Sequence, residues 1–465
     1  MHKSLQSDLL QWPVEAVLSE LALTLVLDVG KTRTKLLAID GNGDLLRSWQ
    51  RESRCVKTAE GYRALDSADV AAWLSDTLSC MGSLRKSVRC IVPITHGAAF
   101  AGIGPSGLAL PIPDYEFEGF EDRAAGWSKS VDSFAQTLCP VLPLGLNAAT
   151  QFDWLERYVP NKMAAVRQWM PYAQYWAWWF SGVASSEVSA LGCHTLLWKP
   201  REGDWSSLAV RRGWAQRFAP VRHAWETVGL LRPDLAQLFG LPRGVRILCG
   251  AHDSNACLAR YMRSWPRMTL VSSGTWVVVM ASGTSMKALD GTGDFLANVS
   301  VRGDPVPTGR FMGGRDIERI CAGASPSLAD VQVMNSLIER GVHIEEGGQR
   351  IVLSDGQCIH VDQAAKHFND GERATLAALY AAQETTRCVR SLGAVGPLNV
   401  DGPLALNEVY LEALSALIGD VHASDDPIEG TARGGYVLAR WTDPRPITPR
   451  VRFVAARKVT DKLRQ

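Results

Sequence analysis

Hydrophobic positions first gather at residues 21–27, LALTLVL, a short apolar run that stops at Asp28-Val29-Gly30. A second run follows at Leu36-Leu37-Ala38-Ile39, after which Asp40-Gly41-Asn42-Gly43 supplies residues that tolerate positive φ. Runs this short, broken by tight polar turns, predict strands and not helices: an antiparallel meander whose third strand starts near Leu45. A related unit recurs downstream, where Met268-Thr269-Leu270-Val271 leads into Ser272-Ser273-Gly274-Thr275 and out through Trp276-Val277-Val278-Val279-Met280. Two strand-turn-strand units predict a duplicated architecture, one copy in each of two domains.

Between these units, residues 147–158, 162–182 and 205–218 have the length and mixed apolar spacing of helices, with Pro160 and Pro200 as interruptions. Further on, residues 372–392 read as one long helix, followed by a strand at 397–400 and a helix at 406–417. That alternation of strand and helix predicts an α/β fold. The most hydrophobic local stretch, YAQYWAWWF at 172–180, is far shorter than the ~20 apolar residues of a membrane span and predicts a buried helix.

At 465 residues the chain exceeds what one core organises, so two domains with a ligand cleft between them are expected. Lys plus Arg (49) balances Asp plus Glu (48), which removes the electrostatic case for nucleic acid or an anionic membrane and favours a small or neutral partner. The ten cysteines include no CxxC pair, so neither a zinc ribbon nor a redox motif is present, and reduced thiols suit the cytoplasm. Residues 1–20 carry Glu and Asp within their apolar stretch and read as a short extension, not a signal peptide. The sixteen tryptophans leave room for a homodimer interface.

Candidate chemistry begins at Asp28-Val29-Gly30-Lys31-Thr32-Arg33-Thr34-Lys35, a polar turn directly after an apolar strand. Glycine lets backbone approach an anion, and turn N–H groups, threonine hydroxyls and lysine can hold phosphate, although an ordinary hairpin reads the same way. A Walker A loop would need glycine five residues before Gly30, and position 25 is Leu. Gly250-Ala251-His252-Asp253 follows the apolar residues 245–249; a carboxylate there is either a helix N-cap or a base at a strand end. Val400-Asp401-Gly402-Pro403-Leu404-Ala405-Leu406-Asn407 is a strand, a glycine turn and a helix start, suited to lie against an adenine face or simply to connect the two elements.

In their order along the chain these elements resemble the FGGY family of carbohydrate kinases, within the sugar kinase, Hsp70 and actin superfamily. Further matching segments are Thr95-His96-Gly97, Arg310-Phe311-Met312-Gly313-Gly314-Arg315 and Glu429-Gly430-Thr431-Ala432-Arg433-Gly434-Gly435. The His-Asp pair and Ser272-Ser273-Gly274-Thr275-Trp276 are most similar to the branch acting on 6-deoxyketoses such as L-fuculose and L-rhamnulose. The resemblance implies an α/β fold of two actin-like (ribonuclease H-like) domains with an interdomain cleft, divided as 21–254 and 255–465. It implies ATP and Mg²⁺ as cofactors and a small sugar as substrate, with Asp253 as the catalytic base and Asp28 toward the metal. Gly30, Lys31, Thr32, Gly274 and Thr275 would hold the ATP phosphates, with Gly402 and Asn407 on the adenine side. His96, Gly97, Asp114, Tyr115, Glu116, His252 and Asp253 would surround the sugar. The chain departs from the family at Pro113-Asp114-Tyr115-Glu116, where many members carry Trp-Asp-x-Arg, and at the adenine-side turn, where only Gly402 remains of two or three glycines. Alternatives are a kinase of a ketopentose or polyol, and a nucleotide-binding regulator of the same fold that has lost catalysis.

Overall fold

The computed structural model describes residues 22–291, 295–426, 430–444 and 447–456. The N-terminal extension, Leu21 of the first apolar run and Glu429 of the last motif lie outside the described residues.

Two seven-stranded sheets organise the chain. The first contains β1 (Leu23–Val29), β2 (Arg33–Ile39), β3 (Leu45–Glu52), β4 (Val88–Thr95), β5 (Thr227–Leu230), β6 (Arg246–Leu248) and β7 (Ala251–His252). Its order is β5-β6-β4-β1-β2-β3, with β7 also paired to β4. The second contains β8 (Met268–Ser273), β9 (Val277–Ser282), β10 (Phe295–Val299), β11 (Pro305–Phe311), β12 (Leu398–Asp401), β13 (Val421–Ser424) and β14 (Val451–Val454), ordered β10-β11-β9-β8-β12-β13-β14. In each sheet one central strand, β1 or β8, has an antiparallel hairpin on one side and a parallel strand on the other. The duplication expected from the two strand-turn-strand units is therefore present in the topology. Central strands covered on both faces need near-continuous apolar runs, and in β1 every residue but Asp28 is buried.

Local periodicity misled in two places. Residues 162–182 are not one helix: Pro160–Ala165 is a short helix, Gln168–Pro171 is a strand, and only α1 (Tyr172–Ser181) is the expected buried helix. The strand pairs antiparallel with Phe100–Gly104, and that tertiary pairing outweighs a helical spacing. Residues 205–218 break likewise into a strand end, the helix Ser207–Arg211 and a 3₁₀ turn, because Gly213 takes φ 68° between them. Among the described residues no helix is long and apolar enough to cross a membrane.

Two helices join the sheets: α2 (Asp253–Met262) and α6 (Gly430–Ala439), the latter following α3 (Gly313–Cys321), α4 (Asp370–Ser391) and α5 (Glu408–Ile418). The expected division at 254/255 falls inside α2. Helix α6 leans on the first sheet although it closes the second half of the chain: a Cβ on Gly435 would lie 2.7 Å from Val26 Cγ1. It crosses α2 so closely that a Cβ on Gly434 would lie 1.9 Å from the Ala256 carbonyl oxygen. Val26 and Ile94 from the first sheet, Ala256 and Tyr261 from α2, Leu270 and Met280 from the second sheet and Tyr436 from α6 form one shared core. Gly434→Val forces this crossing apart, and we expect it to cost about 1–3 kcal/mol, read as a lower urea midpoint than the parent; an unchanged midpoint would show that the crossing yields freely.

Candidate active site

Parallel strands deliver their following loops to one edge, which is why ligands collect at the carboxyl ends of such sheets. In the first sheet Asp28, Ile94 and Ala251 lie in one row across β1, β4 and β7, and Val29, Thr95 and His252 form the next row. Three adjacent strand ends thus present the Gly30 turn, the His96-Gly97 loop and Asp253. The second sheet presents the Gly274-Thr275 turn after β8 and the Gly402 turn after β12. Between the two edges lies a cleft of about 360 Å³. Of the residues singled out in the sequence, Gly30, Lys31, Thr32, His96, Gly97, Tyr115, Glu116, His252, Asp253, Gly274 and Thr275 line it.

Four others do not line it. Asp28 is half-buried at the end of β1, one residue pair before the Gly30 turn. Asp114 is fully buried behind the wall, where it pairs with Lys31 and, at 2.7 Å, with Arg63 Nε. Gly402, at φ 85°, closes onto the end of β8: a Cβ there would fall 2.0 Å from the Ser273 carbonyl oxygen. Asn407 caps α5, its Oδ1 accepting from the Tyr410 N–H at 3.0 Å.

Asp253 is the first residue of α2 and not its N-cap, a position taken by His252. Its Oδ1 accepts from the Ser254 N–H at 2.6 Å and lies 3.0 Å from His252 Nε2. Oδ2 has no hydrogen-bond partner among the described residues, in a side chain 32% exposed at the cleft. Burial pushes the Asp253 carboxyl up, but the charge and hydrogen bond of His252, the neighbouring His96 and the Ser254 N–H together hold it below the ordinary aspartate value. The group is therefore ionised at neutral pH with one oxygen available, the state a general base requires.

On the sugar side predicted from the motif, the His96 ring packs edge-on to Tyr115 at 5.8 Å. Its Nδ1 lies 2.8 Å from the Gly97 carbonyl oxygen, which only accepts, so Nδ1 carries the proton and Nε2 is left as an acceptor. Burial lowers the His96 pKa, which keeps the ring neutral. Lys31 does not stand alone beside the phosphate turn: besides Asp114 it reaches Glu116 Oε2 at 3.3 Å and lies 4.9 Å above the Tyr115 ring centroid. The two glycine turns close in the same way, through Gly30 N–H to the Arg33 carbonyl and Gly274 N–H to the Trp276 carbonyl, each at 2.9 Å. The next N–H groups, of Lys31, Thr32 and Thr275, make no backbone hydrogen bond among the described residues, and all three residues line the cleft.

The sequence reading missed several groups that line the cleft: Leu146, Cys193, His194, Leu296 and Asn298. None sits in a motif, and only folding brings residues 193 and 298 together. It also missed the brace beneath the Gly402 turn, where Asp401 Oδ2 accepts from Arg260 at 2.9 Å and from the Tyr261 hydroxyl at 2.6 Å. An aspartate directly before a turn glycine was visible, but nothing local pointed to its partners 140 residues away.

Duplicated sheets that share a central core and face each other's strand ends across a cleft define a two-domain, actin-like α/β protein. The chain belongs to the FGGY family of carbohydrate kinases: residues 130–259 match the N-terminal domain of that family and residues 266–446 match "Carbohydrate kinase FGGY, C-terminal domain". A carbohydrate kinase from Novosphingobium aromaticivorans is similar over 94% of both chains, with 34% identity and a TM-score of 0.79. A xylulose kinase from Lactobacillus acidophilus shares the fold at 12% identity, over 90% of this chain and 89% of its own, with a TM-score of 0.71. An L-fuculokinase from Salmonella typhi is 26% identical over 280 residues, 55% of this chain. The chain spans just over half the length of that curated relative, 56%.

The Asp114 pair has a pH signature. Burial raises the Asp114 carboxyl, but Lys31, the Glu116 N–H and the Cys55 thiol together lower it by more, so its folded pKa is depressed. Its stabilising contribution is therefore complete above the unfolded value of about 3.9 and is lost as pH falls through the folded value. Asp114→Asn is expected to lower the melting temperature at pH 7, with the gap from the parent narrowing below about pH 4; a gap independent of pH would show that the carboxylate charge is immaterial.

Proposed function

We propose that this protein is an ATP-dependent kinase of a small ketose, in first place a 6-deoxyketose such as L-fuculose or L-rhamnulose. The observation that carries the reading is convergence: an ionised Asp253 with one uncommitted oxygen shares a cleft with glycine turns from both sheets. Phosphoryl transfer depends on positioning and on stabilising charge more than on covalent chemistry, and the cleft offers those two things.

In this mechanism the ATP phosphates lie between the turns at Gly30 to Thr32 and Gly274-Thr275, held by their outward N–H groups, with the base toward the Gly402 turn. Asp253 Oδ2 takes the proton of the sugar hydroxyl as its oxygen attacks the γ-phosphorus. Lys31, already steered toward the cleft by Asp114 and Glu116, offsets charge on the transferring group. Among the described residues no group of three or more His, Cys, Asp or Glu forms a metal cage. Mg²⁺ retains water and binds chiefly through phosphates, and Asp28, behind the Gly30 turn, is the carboxylate that would hold it through water. Bound there, the ion would neutralise phosphate charge.

For the sugar, His96 Nε2, Tyr115 and Glu116 offer polar contacts, whereas Leu146, Leu296, Val278 and Trp276 give the same cleft an apolar side. A deoxygenated carbon fits such a side better than a hydroxyl, which would lose its partner there. The name of the Salmonella typhi relative points the same way. Closing of the cleft over the sugar keeps water from competing as nucleophile. ATP and a free sugar as reactants place the reaction in the cytoplasm. The dimer reading gains no support from the tryptophans, since none is among the exposed large hydrophobics of the described residues.

The test is ADP release from Mg-ATP across ketoses, polyols and sugar acids, with Asp253→Asn in parallel. We expect sugar-dependent release, strongest with 6-deoxyketoses, falling about 10²–10⁴-fold in the variant. If ATP binds and no sugar raises turnover, the protein is instead a nucleotide-binding regulator.

A further inference from the structure

The resemblance places His252 against the sugar, and the residue lines the cleft, but both of its ring nitrogens are engaged by protein groups. Nε2 lies 3.0 Å from Asp253 Oδ1 and 3.5 Å from Cys193 Sγ, and Nδ1 lies 3.2 Å from Asn255 Nδ2. Asn255 is wholly buried, and its Oδ1 has no hydrogen-bond partner among the described residues. An amide's oxygen and nitrogen exchange places by a half-turn at no steric cost. After that turn the orphaned Oδ1 accepts from Nδ1–H while Nε2–H still donates to Asp253, so both ring nitrogens carry protons.

The groups around the ring favour that state. Asp253 and Cys193 touch it, and Glu187 lies near enough to act on it; His194 acts on Cys193 and His96 on Asp253. Burial pulls the His252 pKa down, but the negative charges of Cys193 and Asp253 outweigh it and hold it well above the ordinary histidine value. Burial pushes the Cys193 thiol up, and the two imidazoles beside it reverse that, to about 5. Gly97 packs against the ring so closely that a Cβ there would lie 3.0 Å from Nε2.

We propose that His252 is a positioning residue and not a sugar ligand: clamped between Asn255 and Cys193, it anchors Asp253 Oδ1 so that Oδ2 meets the substrate hydroxyl. This deepens the kinase reading and rests on it. The hydroxyl proton passes to Oδ2 as the oxygen–phosphorus bond forms and the bond to ADP breaks; the proton on Nε2 stays where it is. Holding the carboxylate this way makes it a weaker base. A loose phosphoryl-transfer transition state gains more from alignment than from basicity, and a displacement of about 1 Å costs about 10²-fold.

The experiment uses the full chain with whichever sugar supports turnover, comparing His252→Ala and His252→Gln by kcat, sugar KM and pH profile. For His252→Ala we expect kcat to fall about 10²-fold with KM within about 3-fold of the parent. The acid limb of kcat should move to higher pH, because burial alone raises a carboxyl that has lost its imidazolium. His252→Gln, whose amide can still donate to Oδ1, should recover part of kcat and leave the limb displaced. A raised KM with kcat and the acid limb unchanged makes His252 a sugar contact and overturns the proposal. A second arm needs no catalysis: ¹⁵N spectra of the ligand-free parent, with His252 assigned by its loss in His252→Gln. Both ring nitrogens should be protonated at about pH 8, well above the ordinary histidine range; a neutral ring there overturns the proposal whatever the protein phosphorylates.

Discussion

Everything at the cleft depends on how closely α2 and α6 cross. Glycine at 434 lets the backbones meet at Ala256, and Gly435 lets α6 settle on Val26 and Ile94 of the first sheet. A helix from the end of the chain is thereby packed against strands from its beginning, and one core spans both halves. Because the sheets share that core on one side, their strand ends face each other on the other. The two glycine turns and Asp253 can then sit in a single cavity although some 240 residues separate Gly30 from Gly274. Close-packed interiors transmit displacement and do not absorb it, so opening or closing of the cleft has to roll about this crossing.

Helix α2 carries the consequence into the chemistry. It opens with Asp253, and seven residues later, about 10 Å along a helix, Arg260 holds Asp401 directly before the Gly402 turn. The same rod thus bears Asp253 at one end and braces the Gly402 turn at the other. The charges are divided accordingly. Lys31, Asp114, Arg63 and Glu116 form a cluster at one wall, with Lys31 and Glu116 lining the cleft and Asp114 buried, while Asp253 is held by His252 and keeps one oxygen for the cleft. Buried charges survive only when paired, and here each pairing also aims a group at the place where substrates meet.

Much of this was legible from residue order. Short apolar runs broken at Gly30 and Gly274 reported two meanders, and their duplicate topology is present in both sheets. Strand ends are readable where an apolar run meets a polar residue, so Asp28, His96 and Asp253 stood out, and the latter two line the cleft. Asp114 was legible as a charge but not as a buried one, because burial depends on Lys31 and Arg63 arriving from distant segments. The strand at Gln168–Pro171 was hidden for a like reason: its spacing suits a helix, and only Phe100–Gly104 makes it a strand.

Backbone preferences and the alternation of apolar and polar residues are local, and they were enough to indicate the two strand-turn-strand units, their turns and the family pattern. Which face of the cleft each side chain serves is a matter of contacts across long stretches of sequence. Cys193 comes to flank His252, and Asn298 comes to share the cleft with His194, only in the folded chain, whereas Asn255 reaches His252 locally from the first turn of α2. Protonation states follow the same division, since they depend on burial and neighbouring charge, which exist only in the folded chain.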